Sequence, residues 1–359
     1  MARISKIINY RVLIIFVVVV LMSAEIVCRV KYFLMHKKEW NYITAPFLVR
    51  PWDAACKRKT VYSNARKKSI TITYDDNCFR GDKISVEKIT PEFRIFVLGD
   101  STVDSLQPDP QTWPHRMKSY LPETYKYKEI RVINAGRSGF NSATIKSLFE
   151  NKIRYFAPDL TLFYAAANEG VEFTPFADVY SSVERMRNIT HQLLYNNSML
   201  YTYLCEKTLF STSKNKKYFW VIDLTKLKRN FLDLNSDCLA SGSRFIFITQ
   251  AINAPRFYKG VDTFNYEGVL DFLNSLKDGA QHEYDNEEIM ILNQRLAVLY
   301  LIELCKNYNI PYINILNDIE NFGETKRKSM FLDYIHQTPE GDNILGELIG
   351  RKLNNLLIQ

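Results

Sequence analysis

No two of the six cysteines (Cys28, Cys56, Cys78, Cys205, Cys238, Cys305) are spaced C-x-x-C. The spacing that marks a zinc or iron–sulfur site is therefore missing, and no metal site is expected. No internal repeat runs through the 359 residues, so a solenoid is not expected. Nor is there a spread-out positive charge. The net charge is +8, but residues 1–90 hold 17 lysines and arginines against 7 acids. The other 269 residues hold 30 against 32. A nucleic-acid footprint on the main body is excluded on that distribution. A basic segment beside an anionic lipid surface fits it better. Histidines number only five. His36 lies beside the N-terminal apolar run, and His115, His191 and His282 lie in or beside helical patterns. That leaves His336 as the histidine with a chemical setting.

One apolar stretch is present at the N-terminus. Val12 to Ala24 is uncharged, with Arg3, Lys6 and Arg11 before it. Thirteen residues fall short of the ~20 needed for a span. Extension from Ile7 to Val27, with Arg11 and Glu25 snorkelling at the ends, supplies the length. Met22-Ser23-Ala24 is a poor A-x-A cleavage site, and Val27-Cys28 lacks the small residue usual before a lipidated cysteine. The expectation is an uncleaved signal anchor over residues 1–30, with the rest of the chain extracytoplasmic. Residues 31–90 read as a basic linker and lead-in. Within it Ser69 to Tyr74 alternates like a short strand, and Cys56 and Cys78 are candidates for a disulfide whose connectivity sequence leaves open. Cys305, in an amphipathic pattern, is expected to be buried.

After residue 90 five apolar, β-rich runs stand out: Arg94–Leu98, Arg131–Asn134, Leu160–Tyr164, Arg244–Thr249 and Tyr312–Ile315. Helical patterns fall at Trp113–Leu121, Ser142–Phe156, Glu288–Asn307 and Glu340–Leu357. Alternation of this kind predicts a parallel sheet with helices on both faces, a three-layer α/β/α sandwich over 91–359. The connection between the third and fourth strands is far longer than a usual loop. Residues 169–242 are therefore expected to form a helical insertion or cap, with a helix at Val179–Tyr195. Phe173, Phe176 and Tyr180 fit either an apolar wall beside a site or the insertion's own core.

Chemistry-bearing residues sit at the ends of these runs. Gly99-Asp100-Ser101 ends the first strand, where open α/β sheets place their sites. Asn134 to Ser142 follows the second and includes Gly139 at a turn that opens a helix; its backbone N–H groups suit an anion. Ala165-Ala166-Ala167-Asn168-Glu169 follows the third, and Asn168 offers side-chain N–H donors. Asp333 and His336 precede the last helix. Acyl transfer needs a nucleophile, a base, a group to hold the base and donors for an oxyanion. Ser101 fits the first role, His336 the second and Asp333 the third. The N–H groups of Ser101 and Gly139 and the Asn168 side chain fit the last. Asp100 is given no chemistry beyond a hydrogen bond in the turn. Gln250, ending the fourth strand, fits either a pocket lining or an ordinary polar loop.

These four blocks resemble the SGNH (GDSL-type) hydrolase family, in particular bacterial membrane-anchored members, and Phe79-Arg80-Gly81 through Ser101 is similar to bacterial members too. The resemblance covers roughly 91–357. It implies a flavodoxin-like five-stranded parallel sheet and serine-dependent hydrolysis or transfer of O-acyl groups, with no metal or organic cofactor. Three positions depart from the family pattern. Glu169 stands for the usual aspartate, Ala166 for a common glycine, and Asp104-Ser105 for a glycine-bearing stretch, which predicts a more polar pocket mouth. The expected function is hydrolysis of O-acyl, chiefly acetyl, esters on a cell-surface glycan such as an O-acetylated polysaccharide. An O-acyltransferase with the same residues and a non-catalytic binding protein of the same fold are the alternatives.

Overall fold

The computed structural model describes residues 2–36, 59–63, 68–75, 77–88, 91–126, 128–169, 222–258, 260–275 and 286–358. Val179–Tyr195, Phe173, Phe176, Tyr180 and Cys56 lie outside the described residues. The chain divides into two compact units, one of residues 1–55 and 178–217 and one of 56–177 and 218–359.

In the first unit the described part is helix α1, Ala2–His36. Its apolar side chains from Val12 to Met22 are exposed, Phe16 by 63% and Val20 by 48%. Among the described residues no helix is long and apolar enough to cross a membrane. The uncharged part of α1 is ~20 Å long at 1.5 Å per residue.

The second unit is the α/β body. In it β1 (Lys59–Ser63) and β2 (Lys68–Ile72) pair antiparallel, β2 falling where Ser69–Tyr74 alternates. The main sheet follows: β3 (Arg80–Gly81), β4 (Glu92–Gly99), β5 (Thr124–Tyr125), β6 (Lys128–Asn134), β7 (Leu160–Tyr164), β8 (Arg244–Ile248) and, near the end of the chain, β11 (Tyr312–Ile313). A small hairpin, β9 (Phe257–Tyr258) with β10 (Val261–Asp262), lies between the last two. The sheet order is β11-β8-β7-β4-β6-β3, with β5 on β6. The five strands from β11 to β6 are parallel, and β3 and β5 pair antiparallel to β6. Numbering the parallel strands by sequence gives 2-1-3-4-5, whose direction of winding reverses between β4 and β7. Ligands bind outside the carboxyl ends at such a reversal.

Every residue of β4 is buried, because its neighbours and the helices cover both faces. Its core is continuous with Trp113 and Met117 of α3 (Trp113–Lys118) and with Leu345, Ile349 and Leu353 of α10 (Pro339–Ile358). Between β4 and α3 lies α2 (Ser101–Asp104). Helix α4 (Ser142–Asn151) is shorter than the pattern through Phe156 predicts. It gives way to a 3-10 turn, Ile153–Phe156, closed by Ala157 in a left-handed conformation.

The expected insertion over 169–242 needs one correction. Its last part is helix α5, Leu224–Ala240, which belongs to the body. A parallel β7–β8 pair requires a crossover, and α5 supplies it. Asp223 caps it by accepting from the N–H groups of Thr225 and Lys226. Leu227, Phe231, Leu234 and Cys238 are buried along one face. The Phe231 ring meets Phe163, Phe245 and Phe247 with centroids 5.7, 5.4 and 5.7 Å away. Helix α6 (Tyr266–Ser275) and the long helix α7 (Asn286–Asn307) come next, then α8 (Leu316–Asn321) and α9 (Gly323–Ser329) after β11. Cys305 on α7 is buried.

Ile72 and Phe79 of the lead-in are buried in this body, and β3 lies on the sheet edge. Cys78 is disulfide-bonded. Phe231→Ala is expected to destabilise the body by about 3–5 kcal/mol, through lost burial and a cavity between α5 and the sheet; urea unfolding measures it.

Candidate active site

Strand β4 ends at Gly99, and the reason is steric. A Cβ built there would lie 2.3 Å from the Tyr164 carbonyl oxygen and 2.3 Å from Val103 Cγ2. The chain then turns through Asp100, whose carboxylate caps α2 by accepting from the Thr102 N–H at 2.8 Å. Ser101 is the first residue of α2, where a backbone N–H has no acceptor within the helix. The Trp113 indole N–H donates to the Thr102 carbonyl at 3.1 Å and fixes α2 from behind.

His336 reaches the serine from a loop 235 residues later in the chain. Its Nε2 lies 2.9 Å from Ser101 Oγ, and its Nδ1 lies 2.7 Å from Asp333 Oδ2. A carboxylate can only accept, so Nδ1 carries the proton and Nε2 is the acceptor for the serine hydroxyl. The other Asp333 oxygen accepts from the backbone N–H of Ile335 at 2.9 Å and of His336 at 2.7 Å. The loop itself is tied down by the Phe331–Gln337 bridge and by the Tyr334 carbonyl, which accepts from Asn253 N–H at 2.7 Å.

Gly139 sits in the turn between β6 and α4 with φ +82°, a conformation that costs other residues more. A Cβ built there would meet nothing within 4 Å, so the need is for the backbone shape. Asn168, 5% exposed, stands just past β7. One N–H of its amide donates to the Phe140 carbonyl at 2.9 Å, and an amide nitrogen has a second to offer. Glu169 does more than keep a charge. Its Oε1 accepts from the Ser142 N–H at 2.6 Å and its Oε2 from the Ser142 hydroxyl at 2.8 Å. This carboxylate caps α4 and joins the Asn168 turn to the Gly139 turn. Ser101, Gly139, Asn168, Asp333 and His336 thus all lie at the carboxyl edge of one sheet.

The expectation of a more polar mouth at Asp104-Ser105 is corrected. Both residues are buried. Asp104 accepts from the Tyr74 hydroxyl at 2.6 Å and from Ser138 Oγ at 2.8 Å. Arg80 also donates to its backbone oxygen. The Ser105 hydroxyl donates to Asp342 of α10 at 2.9 Å. These are inward contacts to the lead-in and the last helix. Sequence reading had no signal for Tyr74, Arg80 or Arg137. The Tyr74 ring has Arg80 at 5.9 Å and Arg137 at 5.5 Å, and Arg137 donates to the Cys78 carbonyl. Sequence reading also left Gln250 undecided; it is fully buried beneath the nucleophile turn.

Burial of the imidazole pushes the His336 pKa down. The hydrogen bond and charge of Asp333, with the charge of Asp100, carry it back above the ordinary value. Burial pushes Asp333 up, and the His336 bond and charge with the two N–H donors bring it below its ordinary value. The sign follows by linkage. The raised His336 adds stability that is complete below about pH 6.5 and is lost as pH rises through its folded pKa. The lowered Asp333 adds stability present above about pH 3.9 and lost as pH falls through its folded pKa. Asp333 is 46% exposed on its side chain, so solvent screens the pair. Asp333→Asn is expected to drop the His336 pKa below its wild-type position while the fold persists; NMR titration of the ring measures it.

A family model described as GDSL-like lipase/acylhydrolase matches residues 95–349. No curated protein matches the chain. Several solved structures are similar. A lipase/acylhydrolase from Enterococcus faecalis is 15% identical, over 73% of this chain and 96% of its own, with a TM-score of 0.41. An acetylxylan esterase from Geobacillus stearothermophilus is 14% identical over 74% and 96%, with a TM-score of 0.43. A GDSL-like lipase from Bacteroides thetaiotaomicron is 16% identical over 74% and 89%, with a TM-score of 0.38. With more than two thirds of its length inside the matched family, this chain belongs to the GDSL-like lipases and acylhydrolases and is a serine esterase.

Proposed function

We propose that Ser101, His336 and Asp333 form the catalytic triad of an esterase that removes short O-acyl groups, acetyl above all, from a cell-surface glycan. The observation that carries this reading is the hydrogen-bonded line from Ser101 Oγ through the His336 ring to Asp333. In this reading His336 Nε2 takes the serine proton as Oγ attacks the ester carbonyl. Asp333 holds the ring and offsets the imidazolium charge. The N–H groups of Ser101 and Gly139 and the second Asn168 N–H receive the oxyanion. His336 then passes the proton to the departing sugar oxygen. Water, deprotonated by the same ring, resolves the acyl-serine and releases the acid.

Ile335 of the catalytic loop belongs to a packed apolar cluster with Ala167, Ile252, Ala254 and Ile291, with Tyr334 against it. For location, two features support a place outside the cytoplasm and at a membrane. Cys78 is disulfide-bonded, as is usual in oxidising compartments. Helix α1 exposes its apolar run from Val12 to Met22, with Arg3, Lys6 and Arg11 ahead of it.

Ser101→Ala is expected to abolish both p-nitrophenyl acetate hydrolysis and fluorophosphonate labelling; unchanged turnover would sink the assignment. Asn168→Ala is expected to lower kcat by about 10²–10³-fold, measured on the same ester. Full-length protein is expected to stay with membranes in carbonate and leave them in detergent; release by carbonate alone would remove the anchor.

A further inference from the structure

Directly under the nucleophile lies a buried polar chain that the triad does not use. Asp100, Thr102, Gln250 and Gln294 are each 0% exposed. Asp100 Oδ1 accepts from the Thr102 N–H at 2.8 Å and from the Thr102 hydroxyl at 2.7 Å. Asp100 Oδ2 accepts from Gln250 Nε2 at 2.9 Å. The same Gln250 nitrogen also donates to Thr102 Oγ1 at 3.0 Å. Behind it, Gln294 Nε2 of α7 donates to the Gln250 backbone carbonyl at 2.9 Å and lies 3.4 Å from Gln250 Oε1.

The direction of this chain can be worked out. The Gln250 carbonyl can only accept, so it fixes which end of the Gln294 amide faces it. Gln294 therefore presents a nitrogen to Gln250, and Gln250 keeps its oxygen toward α7. The Gln250 nitrogen then points at Asp100. The Asp100 carboxyl receives three hydrogen bonds, from the Thr102 N–H, the Thr102 hydroxyl and the Gln250 N–H. A proton on Oδ2 would meet the Gln250 N–H group head-on, so these donors favour the anion. A buried anion without donors would be expensive; here three donors offset that cost.

We propose that Asp100 is a positioning residue: its carboxylate, clamped by Thr102 and Gln250, gives His336 a second negative partner from beneath the nucleophile turn. This rests on His336 being the base. Asp333 holds the ring at Nδ1, and Asp100 acts from the Ser101 side. The other groups that face them are few. The charges of Asp100 and of Asp342 on α10 both act on Tyr164 of β7. Both carboxylates, with burial, keep that phenol protonated, and its oxygen accepts from the Ala251 N–H at 3.0 Å. Burial outweighs the Thr102, Gln250 and His336 contributions and raises the Asp100 pKa on balance, each donor of the clamp working against that rise. The clamp therefore decides how far into the acidic range Asp100 stays charged. Loss of that charge makes His336 a weaker base, and the ring then loses its proton at lower pH.

The test is titration of the His336 ring by nitrogen NMR in the full chain, for the wild type, Asp100→Asn and Gln250→Met, with folding checked by circular dichroism. Asp100→Asn is expected to lower the ring pKa by about one unit, and the acidic limb of kcat/KM is expected to move with it. Gln250→Met keeps the carboxylate and removes one donor. It is expected to move the ring the same way by less, and it decides the matter if Asp100→Asn does not fold. A ring pKa that stays put or rises in the folded variants overturns the proposal, since a purely structural role would lower stability without moving it. Wild-type turnover of p-nitrophenyl acetate is measured alongside. Its absence would count against the esterase reading, while the ring titration still decides the role of Asp100.

Discussion

A strand buried on both faces has to end without leaving a side chain where its neighbour's backbone already stands. That constraint on β4 governs the rest of the site. The absence of a side chain at Gly99 lets the Tyr164 carbonyl approach it closely, so that β4 and β7 stay paired to their shared last residues. Asp100 then turns the chain away and caps α2, and Ser101 is left at the point where the winding of the sheet reverses. The residues that complete the site come from other strand ends. Parallel pairing brings those ends to one edge whatever their separation in sequence.

Much of this was legible in the letters. The five parallel strands fall on the five apolar runs, since a strand buried on both faces must be apolar throughout. Ser101, Gly139 and Asn168 each stood just past a run's end, so the sheet itself predicted that they would share an edge; Asp333 and His336 stood before the last helix, and the resemblance joined them to the others. The family match bears out the resemblance those blocks carried. What escaped was of two kinds. Helix α5 carries a clear apolar face at Leu227, Phe231, Leu234 and Cys238, but it follows a long connection and was read as part of the insertion. The demand of β7 and β8 for a crossover would have claimed it. The second kind is buried polar partnership. Nothing in the spelling of Gln250, Tyr74 or Glu169 says which distant group it meets, because such pairs form only when the body closes. For the same reason Asp104 and Ser105 looked like rim residues and are interior ones.

The lead-in shows how far a small segment can matter. Tyr74 lies between the Arg80 and Arg137 guanidinium groups and donates to Asp104. Arg137 reaches the Cys78 carbonyl, and its own N–H donates to the Gly99 carbonyl at 3.0 Å. A segment that begins as basic and nondescript thus braces the nucleophile turn and the Gly139 turn together, with a covalent crosslink at Cys78.

The distance along the chain between Ser101 and His336 also sets a schedule. At roughly 5–20 residues per second of synthesis, Ser101 leaves the ribosome on the order of tens of seconds before the histidine it bonds to. Helix α10, which holds Ser105 through Asp342 and packs against α3, is made later still. Until it arrives Ser105 lacks its Asp342 partner and α3 its packing, so the turn that carries Ser101 is completed only at the final closure of the fold.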